Sequence, residues 1–202
     1  MGYYDLDDIL ADSIEIPCKF RHDIAGLGYL EENPGKPIKT NTKLELPLWL
    51  ARILAIVGDT ASSDGDDVPM NEEEGETIPF VELLTPNCFS LKVINAIKTD
   101  PVALDLHTIS PHFYLLAEKW ISLFSDKSLS AVVNDLLLSR GREINNYASS
   151  MATTETSSYH SQDHGMNLLS STFLLTLDEF EKKVYKSSQE SYKESKKWVD
   201  SK

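Results

Sequence analysis

The sequence predicts an α+β protein, with a small β-rich N-terminal domain over 1–84 and a larger α-helical bundle domain over 85–202. Three observations predict it. Before residue 84, short apolar runs are punctuated by Gly and Pro, as strands and turns are. After residue 85, apolar residues recur three and four apart, the helical period. Between them, residues 59–82 hold nine acids and no base, and 58–77 show no apolar periodicity.

The first elements are short. Asp5, Asp7 and Asp8 read as a solvated N-terminal turn, since the further ligands and glycine of a Ca²⁺ loop are absent. Glu15-Ile16-Pro17-Cys18-Lys19-Phe20 reads as a strand with Pro17 near its start. Asn33-Pro34-Gly35 is a turn, because Pro34 fixes φ and Gly35 tolerates positive φ. Thr42–Leu46 alternates polar and apolar, the pattern of a half-buried strand. Pro47 then opens a helix to Val57 that is apolar nearly all round, which implies burial on two sides. Residues 59–77 read as an acidic loop, and 78–84 as a strand.

Helices follow. Thr85-Pro86 caps one with the stripe Phe89, Val93, Ala96 and Ile97, stopped by Asp100-Pro101. Ser110-Pro111 starts the next, with the stripe Phe113, Leu116, Trp120 and Leu123. Asp126 caps a third, whose face is Leu129, Val132, Val133, Leu136, Leu137 and Ile144. Residues 149–170 are rich in Ser and Thr and read as a long loop. A final helix is expected from Ser171 to Val199, roughly 40 Å long at 1.5 Å per residue. One arc of it carries Phe173, Leu177, Phe180, Val184, Tyr192, Trp198 and Val199, with Ser188, Ser191 and Ser195 among them. Lysines 182, 186, 193, 196 and 197 gather on the opposite side.

Charge and motifs exclude more than they reveal. The net charge of −13 over 202 residues repels nucleic acid and anionic membrane, so direct DNA contact and membrane binding are not expected. Two cysteines, Cys18 and Cys88, do not make a secreted disulfide framework, and the start lacks the pattern of a signal peptide. No phosphate-binding glycine loop, nucleophile elbow or H-E-x-x-H occurs. His107 and His112 are five apart, and His160 and His164 lie in the Ser/Thr-rich loop without a cysteine, so no metal, cofactor or catalytic set is assigned. Asp178–Lys182 and Glu179–Lys183 are spaced to pair on a solvated helix face. Apolar surface is what remains. Trp49 and Ile53 on the 47–57 helix, with Phe180, Val184, Tyr192 and Trp198 on the last, are the candidate interface anchors.

Several segments resemble a known family. Tyr4-Asp5-Leu6-Asp7-Asp8-Ile9-Leu10-Ala11, Pro17-Cys18-Lys19-Phe20, Leu44-Glu45-Leu46-Pro47-Leu48-Trp49-Leu50-Ala51, Val81-Glu82-Leu83 and Asp105-Leu106-His107, the last followed by Phe113-Tyr114, occur in order. In this the chain resembles the Psf-three subunits of the eukaryotic GINS complex, in a yeast-like form. The resemblance implies a non-catalytic subunit of a heterotetramer with three other GINS subunits as partners. It further implies that a RecJ-like replication factor and the MCM helicase ring join GINS as the replicative CMG helicase in the nucleus, with polymerase machinery an indirect partner. It implies no cofactor. A stand-alone acidic interaction module is the alternative reading.

Overall fold

The computed structural model describes residues 4–60, 77–154 and 172–201, apart from the side chains of 58–60, 77–78 and 150–154. The chain divides into two compact units, Met1–Pro86 and Asn87–Lys202. The α+β class and the order of its two parts are as the sequence predicts.

The first unit begins with a helix where a turn was expected. Helix α1 spans Leu6–Asp12, and the carboxylate of Asp5 caps it by accepting from the Asp7 N–H at 3.3 Å. Asp7 and Asp8 occupy its first turn, where acids favour the helix dipole. Strand β1 (Glu15–Phe20) is central in an antiparallel sheet, between β2 (Lys43–Pro47) and β5 (Val81–Leu83). Ile16, Cys18 and Phe20 point to the core, and Glu15, Pro17 and Lys19 do not, the period-two pattern of a half-buried strand. Between β1 and β2 the chain makes a long excursion closed by an Ile24–Ile38 bridge. Gly28 is required there: a Cβ would lie 2.2 Å from the Lys36 carbonyl oxygen.

Helix α2 (Leu48–Ile56) follows β2 directly, with Pro47 as its N-cap. It buries Leu48 and Ala51 only. Burial on two sides is therefore corrected: Trp49, Ile53, Ile56 and Val57 remain at the surface. The ends of the expected acidic loop are also extended, with β3 (Gly58–Thr60) pairing β4 (Thr77–Pro79) antiparallel. The rest of that loop lies outside the described residues.

In the second unit, a 3₁₀ turn at Asn87–Phe89 precedes α3 (Leu91–Thr99), so the helix starts at Ser90 rather than Thr85. The buried Phe89 ring packs against Phe113 and Trp120, with centroids 5.6 and 6.0 Å apart. A short α4 (Leu106–Ile109) leads to α5 (Phe113–Phe124), which buries Phe113, Tyr114, Leu116, Ala117 and Trp120. Asp126 caps α6 as expected, accepting from the N–H groups of Ser128 and Leu129 at 2.9 and 3.1 Å. Helix α6 spans Lys127–Thr154, six residues into the stretch read as loop, while 155–171 lie outside the described residues.

The last helix is shorter than expected. Residues 172–175 form a separate helical turn, and α7 spans Glu179–Asp200. Asp178 and Glu181 make a capping box at its start, which fixes the boundary. Phe173 and Leu177 thus precede α7 and, with Ile144, form a buried cluster. The pairs Arg140–Glu181 and Asn145–Ser188 advance together along both helices, so α6 and α7 run parallel. The small Ser188 allows the close approach: its hydroxyl donates to Asn145 Oδ1 at 3.2 Å.

Candidate protein-interaction surfaces

Four ionisable groups of the helical unit, Arg140, Glu181, Tyr114 and Asp178, converge on one buried centre. Arg140 lies on the apolar stripe of α6 between Leu136 and Ile144 and is fully buried. Its Nε and one terminal nitrogen donate to the two carboxylate oxygens of Glu181 at 2.7 and 2.9 Å. The other terminal nitrogen donates to the carbonyls of Pro101, Val102 and Leu104 at 3.1, 3.2 and 2.8 Å. The Thr176 carbonyl, 3.2 Å away, takes the remaining N–H. One planar fork thereby ties α6 to the segment before α4, to the turn before α7 and to α7 itself.

Glu181 is equally engaged, accepting from the Tyr114 hydroxyl at 2.8 Å and from the Asp178 N–H at 3.2 Å. Burial raises the Tyr114 phenol well above its ordinary range, and the Glu181 charge adds to this. Asp178 sits where α5 and α7 begin, accepting from the N–H groups of Tyr114 at 3.4 Å and Glu179 at 2.6 Å. Burial pushes its carboxyl up to about 7, against the pull of those N–H groups. These bonds lock α5, α6, α7 and the 101–104 segment together. Sequence reasoning missed this centre. Two signals were present: an arginine on an apolar stripe, and an Asp-x-x-Glu capping pair.

Other candidate groups stay apart. Cys18 and Cys88 are free thiols, and burial pushes both up to about 11. His107 Nδ1 lies 3.4 Å from Lys182 Nζ, which itself pairs with Glu179 at 2.7 Å. That contact replaces the expected Asp178–Lys182 pair, because Asp178 faces inward as the helix cap. Among the described residues no group of three His, Cys, Asp or Glu side chains could hold a metal ion, and His160 and His164 lie outside them. No described helix is long and apolar enough to cross a membrane. A groove of about 460 Å³ between α3 and α6 has Ile97, Val132 and Leu136 at its floor and Lys98 and Asp135 at its rim.

The surface carries the larger signal. Trp49 and Ile53, four apart on α2, are each 49% exposed. On α7, Phe180 and Val184 are exposed near its start, Tyr192 is half-buried, and Trp198 near its end is 62% exposed. The Phe180 ring also leans on Tyr114, with centroids 5.8 Å apart, so it braces the buried centre as well as facing outward. Helix α1 adds Leu6, Ile9 and Leu10, which the sequence reading passed over because it took that segment for a turn. Their spacing of three and four was the available signal.

Comparisons with known proteins fit both units. Residues 4–56 match the family model described as PSF3 N-terminal domain, and residues 88–200 match that described as GINS complex protein helical bundle domain. The chain is 58% identical over 200 residues to the DNA replication complex GINS protein PSF3 of Saccharomyces cerevisiae, covering 98% of each chain. It is 52% identical to the protein of the same name from Kluyveromyces lactis, again over 98% of each. It is 34% identical over 220 residues to that of Neurospora crassa, covering 99% of this chain and 98% of the relative.

Proposed function

The chain belongs to the PSF3 family of DNA replication complex GINS proteins, and on that premise we propose that it is a non-catalytic structural subunit of a GINS heterotetramer. Its work is to present helix faces to three sister subunits. The observation that carries this reading is the apolar surface on α2 and α7. Each unit already has a buried core, yet Trp49, Ile53, Phe180, Val184 and Trp198 remain exposed. A subunit that spends its life in a complex buries such faces against partners, and permanent interfaces resemble a core cut in two.

Non-catalytic action is supported by the chemistry of the buried centre, where Arg140, Glu181, Tyr114 and Asp178 are spent on one another. In the wider assembly, the tetramer joins a RecJ-like factor and the MCM ring as the replicative helicase, acting in the nucleus at initiation and fork progression. ATP hydrolysis belongs to the ring, and polymerase machinery is reached indirectly. The test is co-expression with the three other GINS subunits, followed by size-exclusion chromatography with mass determination. A stable complex with one copy of each chain is expected. A soluble monomer that ignores the other three would overturn the reading.

A further inference from the structure

The groove between α3 and α6 makes specific demands on whatever enters it. Its α6 wall is a helix stripe, in which Ser128, Ala131, Val132, Asp135, Leu136 and Ser139 recur three and four apart. At 1.5 Å per residue that wall is about 16 Å long, three helical turns. Ile97 and Lys98 on α3 form the other wall. The floor is apolar, with Ile97 and Leu136 buried and Val132 half-buried, whereas Lys98 and Asp135 on the rim are exposed. These two side chains line one groove yet do not pair with each other. Among the described residues neither makes a side-chain hydrogen bond or an ion pair. The small side chains of Ser128, Ala131 and Ser139 let another backbone come close to α6. At 100° per residue the stripe lies about 160° around α6 from Ile144 and Asn145, the residues turned toward α7 and its approach.

We infer that this groove docks a short amphipathic helix from a partner outside the four GINS subunits, one that carries an acid on one flank of its apolar stripe and a base on the other. The inference goes beyond the heterotetramer reading above. A helix suits the site because an apolar floor three turns long accepts anchors at i, i+4 and i+7. The mixed flanks follow from charge complementarity: an acid meets Lys98 and a base meets Asp135, while a wholly acidic or wholly basic segment would face one like charge. A partner that comes and goes follows from the charged and hydroxylated rim, since permanent interfaces are more apolar. The stripe also faces away from α7, which carries the exposed Phe180, Val184 and Trp198, so this site stays separate from those anchors.

The test titrates a fluorescein-labelled synthetic helical peptide against the full chain assembled with its three sister subunits, read by fluorescence anisotropy. The probe carries Leu at i, i+4 and i+7, Glu along one flank and Lys along the other. Saturable binding is expected. Ala131→Trp, at an exposed position, fills the groove and should weaken binding at least about tenfold by steric clash. Lys98→Glu and Asp135→Lys should each weaken it about fivefold at 50 mM NaCl and little at 500 mM, where exposed charges are screened. The double variant, Lys98→Glu with Asp135→Lys, again sets one acid and one base across the groove and should restore binding, a rescue that a folding defect would not give. No saturable binding, or binding that Ala131→Trp leaves unchanged, refutes the groove as the site. Binding that falls with Ala131→Trp but ignores both charge variants refutes the mixed-charge partner. A probe that binds the chain alone but not the tetramer shows that a sister subunit covers the groove; the inference then fails while the heterotetramer stands. A chain that does not assemble overturns the heterotetramer reading, and the same variants titrated on the chain alone then decide the groove by the same outcomes.

Discussion

Replacing Arg140 tests whether a single guanidinium holds the helical unit together. The side chain is fully buried, and it donates to both oxygens of Glu181, to three backbone carbonyls and to Thr176. Arg140→Met strands the Glu181 charge in the interior, which costs about 3–5 kcal/mol when one partner of a buried pair is lost. The carbonyls of Pro101, Val102 and Leu104 lose their donor as well, at about 1 kcal/mol each. The sum is a large share of the 5–15 kcal/mol that stabilises a typical domain. Two further variants separate the contributions. Arg140→Met with Glu181→Met removes both charges, a change often neutral for a pair alone, so its residual loss, about 1 kcal/mol for each stranded group, reports the carbonyls left without a donor together with the Tyr114 hydroxyl and Asp178 N–H left without an acceptor. Arg140→Lys keeps the charge but lacks the planar fork that spans Glu181 and the 101–104 segment, and should cost about 2–3 kcal/mol. Amide hydrogen exchange over 101–109 and 176–186 of the chain in its assembled complex reads these differences, tenfold in rate for each 1.4 kcal/mol. A double variant that exchanges as slowly as the wild type would refute the carbonyl anchoring. An Arg140→Lys chain indistinguishable from wild type would refute the role of the fork.

Three other outcomes follow from the same geometry. The Asp178 carboxyl, pushed up to about 7 by burial, contributes stability that is complete below its unfolded value near 4 and is lost as pH rises through 7. Urea unfolding of the helical unit between pH 5 and 8 should therefore show a loss on the order of 3 kcal/mol from this group, and Asp178→Asn, which still caps a helix, should flatten that slope. Cys18 and Cys88, with thiols raised to about 11, should resist maleimide at pH 7 in the native chain and react together once it is unfolded; rapid native labelling of Cys18 would contradict its burial. Trp198→Ala should weaken tetramer assembly about tenfold while leaving amide exchange of the α7 start unchanged, because the indole is mostly exposed; unchanged assembly by size-exclusion chromatography would remove it from the anchors.

Local rules carried the sequence reading a long way. The alternation of Glu15–Phe20 determined a half-buried strand, because successive side chains on a strand face opposite ways. Asp126 determined the start of α6, because a capping carboxylate acts within three residues. The family was legible in runs such as Leu46-Pro47-Leu48-Trp49, one of several that occur in order along most of the chain. Errors arose where a local signal had two readings. The carboxylates at 5–8 suit a turn and a helix start equally, and their companion stripe of Leu6, Ile9 and Leu10 decided for the helix. The arc that joined Phe173 to Val184 was continuous on a wheel, yet the capping box at Asp178 broke it.

Tertiary structure alone decided two matters. It decided which apolar helix faces are covered: α2 is apolar nearly all round, and only its packing on the sheet shows that Leu48 and Ala51 go in while Trp49 and Ile53 stay out. It also decided that residues 38 to 41 positions apart in sequence share one charge centre, with Arg140 reaching Val102 in one direction and Glu181 in the other. Periodicity reports which residues lie on one face of one element. Whether a second element covers that face depends on free energies summed over contacts remote in sequence, and no local pattern encodes them.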